Sequence, residues 1–159
     1  MGAGKNQPDI RAATTRLFLE IQSAFPHLKM HMDTHHPHVE IIMDIPKQQG
    51  LRFDVNLNLQ NHDELHLSTG HFWLEWFPCT DEETMKAYRE AVHGVLSGRF
   101  RILEYYRGSR AVMSQLQMPD GQGWKTIGMR GDVANPLGHY HQGIEEYRAS
   151  LSMTKRGDS

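Results

Sequence analysis

The sequence of 159 residues has little of several features that would mark a class of protein at once. It has one cysteine, Cys79, so no disulfide within the chain stabilises the fold. Its formal charge is -2, which argues against a strongly basic nucleic-acid-binding protein. No apolar run approaches the roughly 20 residues that cross a bilayer, and residues 1–8 lack the apolar stretch of a secretory signal. We therefore expect a cytoplasmic protein with neither nucleic acid nor membrane among its partners.

Catalytic signatures are also missing from the sequence. It contains no nucleophile elbow, no glycine-rich phosphate loop and no cysteine-based zinc motif. Cys79 follows Pro78 at the end of a predicted strand, and no motif surrounds it. We predict that Cys79 is a structural residue, and the sequence assigns no catalytic residue.

The composition, with 38% hydrophobic and 23% charged residues, is typical of one folded domain. We expect a single α+β domain over residues 9–153, between a disordered N-terminus (1–8) and a disordered tail (154–159).

Apolar residues recur at helical spacing in three places. The first run begins after Asp9, which predicts an N-cap, and stops before Pro26. The second follows a capping box with Thr80 as the cap, and it closes at Gly98. The stripe of a third predicted helix consists of Tyr140, Ile144, Tyr147 and Leu151.

Between the helices the apolar residues alternate with polar ones, which is typical of half-buried strands. The clearest strand covers residues 51–60, with apolar side chains at every odd position. The pattern predicts one antiparallel meander sheet of about six to seven strands with three helices on its apolar face, in the order α-ββββ-α-βββ-α. Apolar positions change from odd to even at Gly70, so we expect a bulge or a tight turn there.

An aromatic run at residues 71–77 is the most unusual stretch of the sequence. If Phe72, Leu74 and Trp76 belong to the core, the opposite face carries the remaining four residues, which are His71, Trp73, Glu75 and Phe77. Large aromatics on a wet face are frequent interface anchors, although a loop or the last helix is an alternative cover.

A later strand places Tyr105 and Leu103 on the face opposite its core residues, where they could extend the same patch. Because the last helix has one apolar stripe and covers one patch, we expect a homodimer with Trp73 near the contact.

Two polar groups of residues are further candidates for a site. On the wet face of the predicted sheet, Asn56, Asn58, His66 and Ser68 are candidates for binding a ligand in a cleft. A turn and its flanking strand carry a histidine cluster, which consists of His31, His35, His36 and His38. Asp33 or Glu40 is a candidate carboxylate partner.

This cluster indicates either a divalent metal site or a histidine-rich surface turn, since adjacent histidines usually point apart. A second pair, His139 and His141, fits a surface or capping role better than a ligand role.

The sequence therefore favours a non-catalytic binding or interaction protein without a cofactor, and it does not choose between a protein and a small-molecule ligand. The alternative is a metal-dependent enzyme that uses the His31–His38 cluster.

Overall fold

A computed structural model describes residues 9–131 and 143–147. The elements in chain order are α1 (Ile10–Ala24), β1 (His31–Asp33), β2 (Ile41–Ile45), β3 (Val55–Gln60), β4 (Glu64–Thr69), β5 (Phe72–Trp76), α2 (Glu82–Ser97), β6 (Arg101–Arg107), β7 (Arg110–Asp120), β8 (Gly123–Gly131) and β9 (Gly143–Tyr147). The fold is α+β and antiparallel, as predicted. Within the described residues, neither helix is long and apolar enough to cross a membrane.

The first five strands form one meander sheet in the order β1-β2-β3-β4-β5. In its centre, Leu57 pairs with Met43 on one side and with Leu67 on the other. Burial alternates strictly along β3, so the sheet has one apolar and one polar face.

Both helices contribute their apolar stripes to the core on the apolar face of this sheet. The stripe of α1 is buried through Leu17, Phe18 and Ile21. Tyr88 and Val92 are the centre of the buried stripe of α2. Each large apolar side chain removed from water in this way stabilises the fold by about 1.5–3 kcal/mol.

The caps of the helices agree with the sequence at three of four ends. Asp9 accepts the N–H of Ala12, α1 ends before Pro26, and Gly98 ends α2 in the left-handed conformation with φ of 77°. Thr80 as the cap of α2 is wrong. Asp81 is the cap, because its N–H closes a turn onto the carbonyl of Pro78 and its carboxylate accepts the N–H of Thr84.

The remaining strands form a second sheet in the order β8-β7-β6-β9, and this arrangement corrects two predictions. The chain has two sheets and nine strands over the described residues, instead of one sheet of six or seven. The third predicted helix is wrong at residues 143–147, which form β9 antiparallel to β6.

Residues 143–147 form a strand because they pair with an edge of β6. The pairing covers the whole length of β9, from Ile102 opposite Tyr147 to Tyr106 opposite Gly143. Ile144 and Tyr147 have a helical spacing, but the same spacing is compatible with a strand. These two residues alone therefore do not distinguish a helix from a strand. Tyr140 and Leu151 lie outside the described residues, as do the two ends predicted to be disordered.

A turn at Gly70 brings the first sheet against the second. Gly70 has φ of +57°, which glycine adopts without strain, and this confirms the tight turn expected there. Directly after it, the His71 N–H donates to the buried carboxylate of Glu104 on β6 at 3.1 Å. The Tyr106 hydroxyl donates to the same carboxylate, so a buried acceptor joins the two sheets.

Candidate functional site

The polar face of the first sheet collects most of the candidate residues. Cross-strand pairing sets one row of five residues, which are His31, Asp44, Asn56, Ser68 and Trp73. The next row consists of Asp33, Ile42, Asn58, His66 and Glu75. We call these two rows, with Glu64 and Phe77 at one end, the polar face.

Hydrogen bonds between side chains connect the amides of this face. Asn56 Nδ2 donates to Asp44 Oδ1 at 2.7 Å, and Asn58 Nδ2 donates to Asn56 Oδ1 at 2.8 Å. Each side chain fixes the next across or along the strands, so the centre of the face has a defined polar pattern.

His66 lies in this pattern and is only 7% exposed. Its Nε2 is 3.1 Å from Glu64 Oε2, and its ring stacks on Trp73 with the centroids 5.6 Å apart. Asn61 Nδ2 donates to the same Glu64 oxygen at 2.9 Å. These hydrogen bonds, from Asn61 and then from His66, lower the pKa of the Glu64 carboxyl, so this group is ionised at neutral pH.

Trp73 is 39% exposed and is bound from the second sheet by Arg130 on β8. The Arg130 guanidinium lies over the indole ring, with 3.4 Å between its central carbon and the ring centroid. Its Nε donates to the Trp73 carbonyl at 3.2 Å, and a terminal nitrogen contacts Glu75 Oε2 at 3.0 Å. One arginine thus joins a ring, a carbonyl and a carboxylate.

The other residues of the aromatic run alternate between the core and the solvent-exposed face, as the sequence pattern predicts. Phe72 is fully buried, whereas Leu74 and Trp76 are half-buried against the core. His71 is exposed, and Phe77 is 58% exposed directly after β5. The sheet therefore leaves two large aromatics, Trp73 and Phe77, in contact with solvent.

Neither Tyr105 nor Leu103 extends the patch around Trp73, and Leu103 is buried. Both lie on β6 in the second sheet, where Tyr105 donates its hydroxyl proton to Gln115 Oε1 at 3.0 Å. Gln115 also accepts from Gln117, whose own oxygen accepts from Arg101. Tyr105 therefore belongs to a separate polar network and does not extend the polar face.

The histidine cluster lies on β1 and in the turn that follows it, and its side chains do not come together at one point. His31, His35 and His38 are exposed, and the rings of His36 and His38 lie 5.7 Å apart, edge to face. Throughout residues 9–131 and 143–147, no three His, Cys, Asp or Glu side chains form a group that could hold a metal ion. The metal hypothesis therefore has no support from this geometry. His139 and His141 lie outside the described residues.

Cys79 is buried in the core, and its N–H donates to the Asp63 carbonyl at 2.9 Å. Burial raises the pKa of the Cys79 thiol, and the nearby Asp63 carboxylate raises it further. The neutral thiol therefore predominates, which disfavours nucleophilic chemistry.

A cavity of about 570 Å³ lies beside the N-terminus of α1 and was not indicated by the sequence. Acidic, basic and apolar residues from several elements line this cavity. The lining residues are Asp9, Ile10, Arg11, Glu40, Leu59, His62, Asp63 and Thr80. No sequence pattern links these residues, because they come from a helix end, strand β3 and three separate turns.

Sequence reasoning also missed Arg130, since nothing local connects it with Trp73, 57 positions earlier in the chain. No family model, curated protein or solved structure matches this chain. Its function must therefore be inferred from the described surface, on which the polar face combines an ordered polar pattern with two exposed aromatics.

Proposed function

We propose that this protein is a non-catalytic binding protein and that the polar face is its contact surface. The observation that carries this proposal is the exposure of Trp73 (39%) and Phe77 (58%) on a face where hydrogen bonds connect the side chains of Asp44, Asn56 and Asn58. Large exposed aromatics are typical anchors of interfaces. A partner that covers them gains apolar contact without having to order the polar groups around them.

Binding fits this face better than catalysis does. His66 is the strongest candidate for a general base, yet its Nε2 faces Glu64 and its ring stacks on Trp73. A general base must come within hydrogen-bond reach of a substrate proton, and the low exposure of His66 opposes that. The side chains of Glu75 and Arg130, which also lie on this face, bind each other. We also place the protein in the cytoplasm, where a free thiol such as Cys79 is stable.

Quantitative affinity purification tests this proposal with a matched pair of variants. Phe77→Ser removes an exposed aromatic from the polar face, whereas Leu19→Ser removes an exposed apolar side chain from α1. We expect partners recovered with the wild type to be lost from Phe77→Ser and kept by Leu19→Ser. Equal recovery with both variants would argue against the polar face. Substrate turnover abolished by one substitution in the cavity beside α1 would overturn the non-catalytic assignment.

We further propose that the protein forms a homodimer with Trp73 near the contact. The supporting observation is that β8, the strand next to Trp73, exposes Ile127 (40%) and Met129 (53%). Exposed apolar side chains thus lie on both β5 and β8, and such side chains are frequently covered in self-association.

Sedimentation of the wild type and of Met129→Glu tests the dimer, with Leu19→Glu as the control. Met129 is a cleaner site than Trp73, because Trp73→Glu also removes the ring that holds Arg130. We expect a wild-type dimer, a dimeric control and a folded Met129→Glu monomer. A wild-type monomer at micromolar concentration contradicts this proposal, as does a folded dimer of Met129→Glu.

A further inference from the structure

The polar face already holds one guanidinium group, that of Arg130. It stacks on the Trp73 ring and reaches the Glu75 carboxylate, two positions further along the same face of β5. Arginine suits such a place because its guanidinium is planar, permanently charged and carries only donors. In this protein, an aromatic ring beside a carboxylate therefore already holds one arginine side chain.

A similar pair lies at the end of the face. Leu65 pairs with Trp76, so extending this register by one residue sets Phe77 opposite Glu64. Both residues have the parity of the polar face, and Phe77 is the most exposed large apolar side chain among the described residues. Phe77 can therefore offer a ring beside a carboxylate, as Trp73 does beside Glu75.

One oxygen of the Glu64 carboxylate is available to accept a hydrogen bond from a partner. Its Oε2 takes the hydrogen bonds from Asn61 and from His66. Its Oε1 has no hydrogen-bond partner within the part of the chain that the structure describes. The same two hydrogen bonds lower the pKa of Glu64, so the carboxylate stays ionised and acts as an acceptor.

We propose that Glu64 and Phe77 form a second guanidinium site, which binds an arginine side chain of a partner protein. This inference rests on the proposed function and names the chemistry of the partner.

The charge of the polar face supports a cationic partner. Four carboxylates lie on it, those of Asp33, Asp44, Glu64 and Glu75, against the single guanidinium of Arg130. Arg130 is engaged by Glu75, which leaves the other three carboxylates without a guanidinium partner on the described face. Such a surface attracts a basic segment and disfavours an acidic one.

The probe is a synthetic eight-residue peptide that alternates arginine with serine, titrated against the full chain by calorimetry and by amide NMR. The variants are Glu64→Gln and Phe77→Ser. Their controls are Glu90→Gln, an exposed carboxylate on α2, and Leu19→Ser. We expect each site variant to weaken binding by about three-fold to ten-fold, as loss of one charge partner or one cation–π contact does. The controls should bind like the wild type.

The NMR shifts should centre on β4, β5 and Phe77, and a peptide with lysine in place of arginine should bind more weakly. NMR spectra of the free variants show whether each is folded, and we expect Phe77→Ser to keep the hydrogen bonds that Asn61 and His66 make with Glu64. Wild-type affinity in both site variants would overturn the arginine site, and so would no binding by the wild type or equal binding of the lysine peptide.

These experiments distinguish failure of the arginine-site proposal from failure of the proposed binding function. If the arginine peptide fails while Phe77→Ser still loses its cellular partners, the polar face binds a partner of other chemistry. If Phe77→Ser keeps all partners as well, both proposals fall.

Discussion

The guanidinium of Arg130 lies over the ring of Trp73, with 3.4 Å between the guanidinium carbon and the ring centroid. This contact joins β8 of one sheet to β5 of the other, and it is reinforced by hydrogen bonds to the Trp73 carbonyl and to Glu75. An arginine is thus a structural link between the sheets, and it also shows which chemistry the polar face can bind.

We predict that Arg130→Ala lowers the free energy of unfolding by about 1–2 kcal/mol, because it removes one cation–π contact and two charge-assisted hydrogen bonds. Arg130→Lys should lose part of this, since an ammonium cannot reproduce the planar stack. Urea denaturation measures both changes, with the exposed Arg16→Ala on α1 as the control. An Arg130→Ala protein as stable as the control would contradict the link.

Tyr88 connects α2 with the strand that carries His66. It is fully buried, and its hydroxyl donates to the His66 carbonyl at 2.9 Å. Burial raises the pKa of Tyr88 well above its usual value, so the hydroxyl keeps its proton and remains a donor. Tyr88→Phe should cost about 1–2 kcal/mol of unfolding free energy.

Thermal and urea unfolding check this value against Tyr105→Phe, whose hydroxyl bonds the half-buried Gln115. We expect the smaller loss in Tyr105→Phe, because its site is more accessible to water. The opposite order would show that the buried hydroxyl of Tyr88 contributes little.

Cys79 should react slowly with thiol reagents in the native protein. Its thiol is buried and its pKa is raised, so the reactive thiolate forms only at a pH above the ordinary range for cysteine. Cys79→Ala should fold and keep every partner of the wild type, with a stability loss of about 1 kcal/mol for the smaller side chain. Rapid native-state labelling at neutral pH, or loss of binding by a folded Cys79→Ala, contradicts a structural role.

The Glu64 carboxyl should titrate below the usual glutamate range in an NMR experiment. A depressed pKa in the folded state stabilises the fold above the ordinary pKa, and this contribution is lost as the pH falls through the lowered value. Asn61→Ala should move the pKa of Glu64 back upward, since the Asn61 amide is the largest cause of the shift. An unchanged titration in Asn61→Ala would assign the shift to another group.

Local sequence patterns predicted much of the first sheet. Strict alternation from Leu51 to Gln60 indicated a half-buried strand, and residues 55–60 form β3. The change of face at Gly70 predicted a turn, because a one-residue shift moves every side chain to the opposite face. Both features depend on neighbours in the sequence, which is why they can be read from it.

The missed features are non-local. The edge strand β9 of the second sheet pairs with β6, about 40 residues earlier, and a five-residue strand has no alternation long enough to outweigh a helical spacing. The link from Arg130 to Trp73 and the burial of Glu104 depend on how the two sheets meet. The histidine cluster is the opposite case, because closeness in sequence does not bring its side chains to one point within the described residues.

A photo-crosslinking scan tests most directly whether the polar face is a contact surface. A crosslinking residue is placed singly at Ser68, Glu75 and Phe77 on the polar face, and at Leu19 and Glu90 on the helices. We predict that defined products, with a second copy or another protein, form from the three sheet positions and not from the two helix positions. Products from the helix positions alone would contradict the central claim.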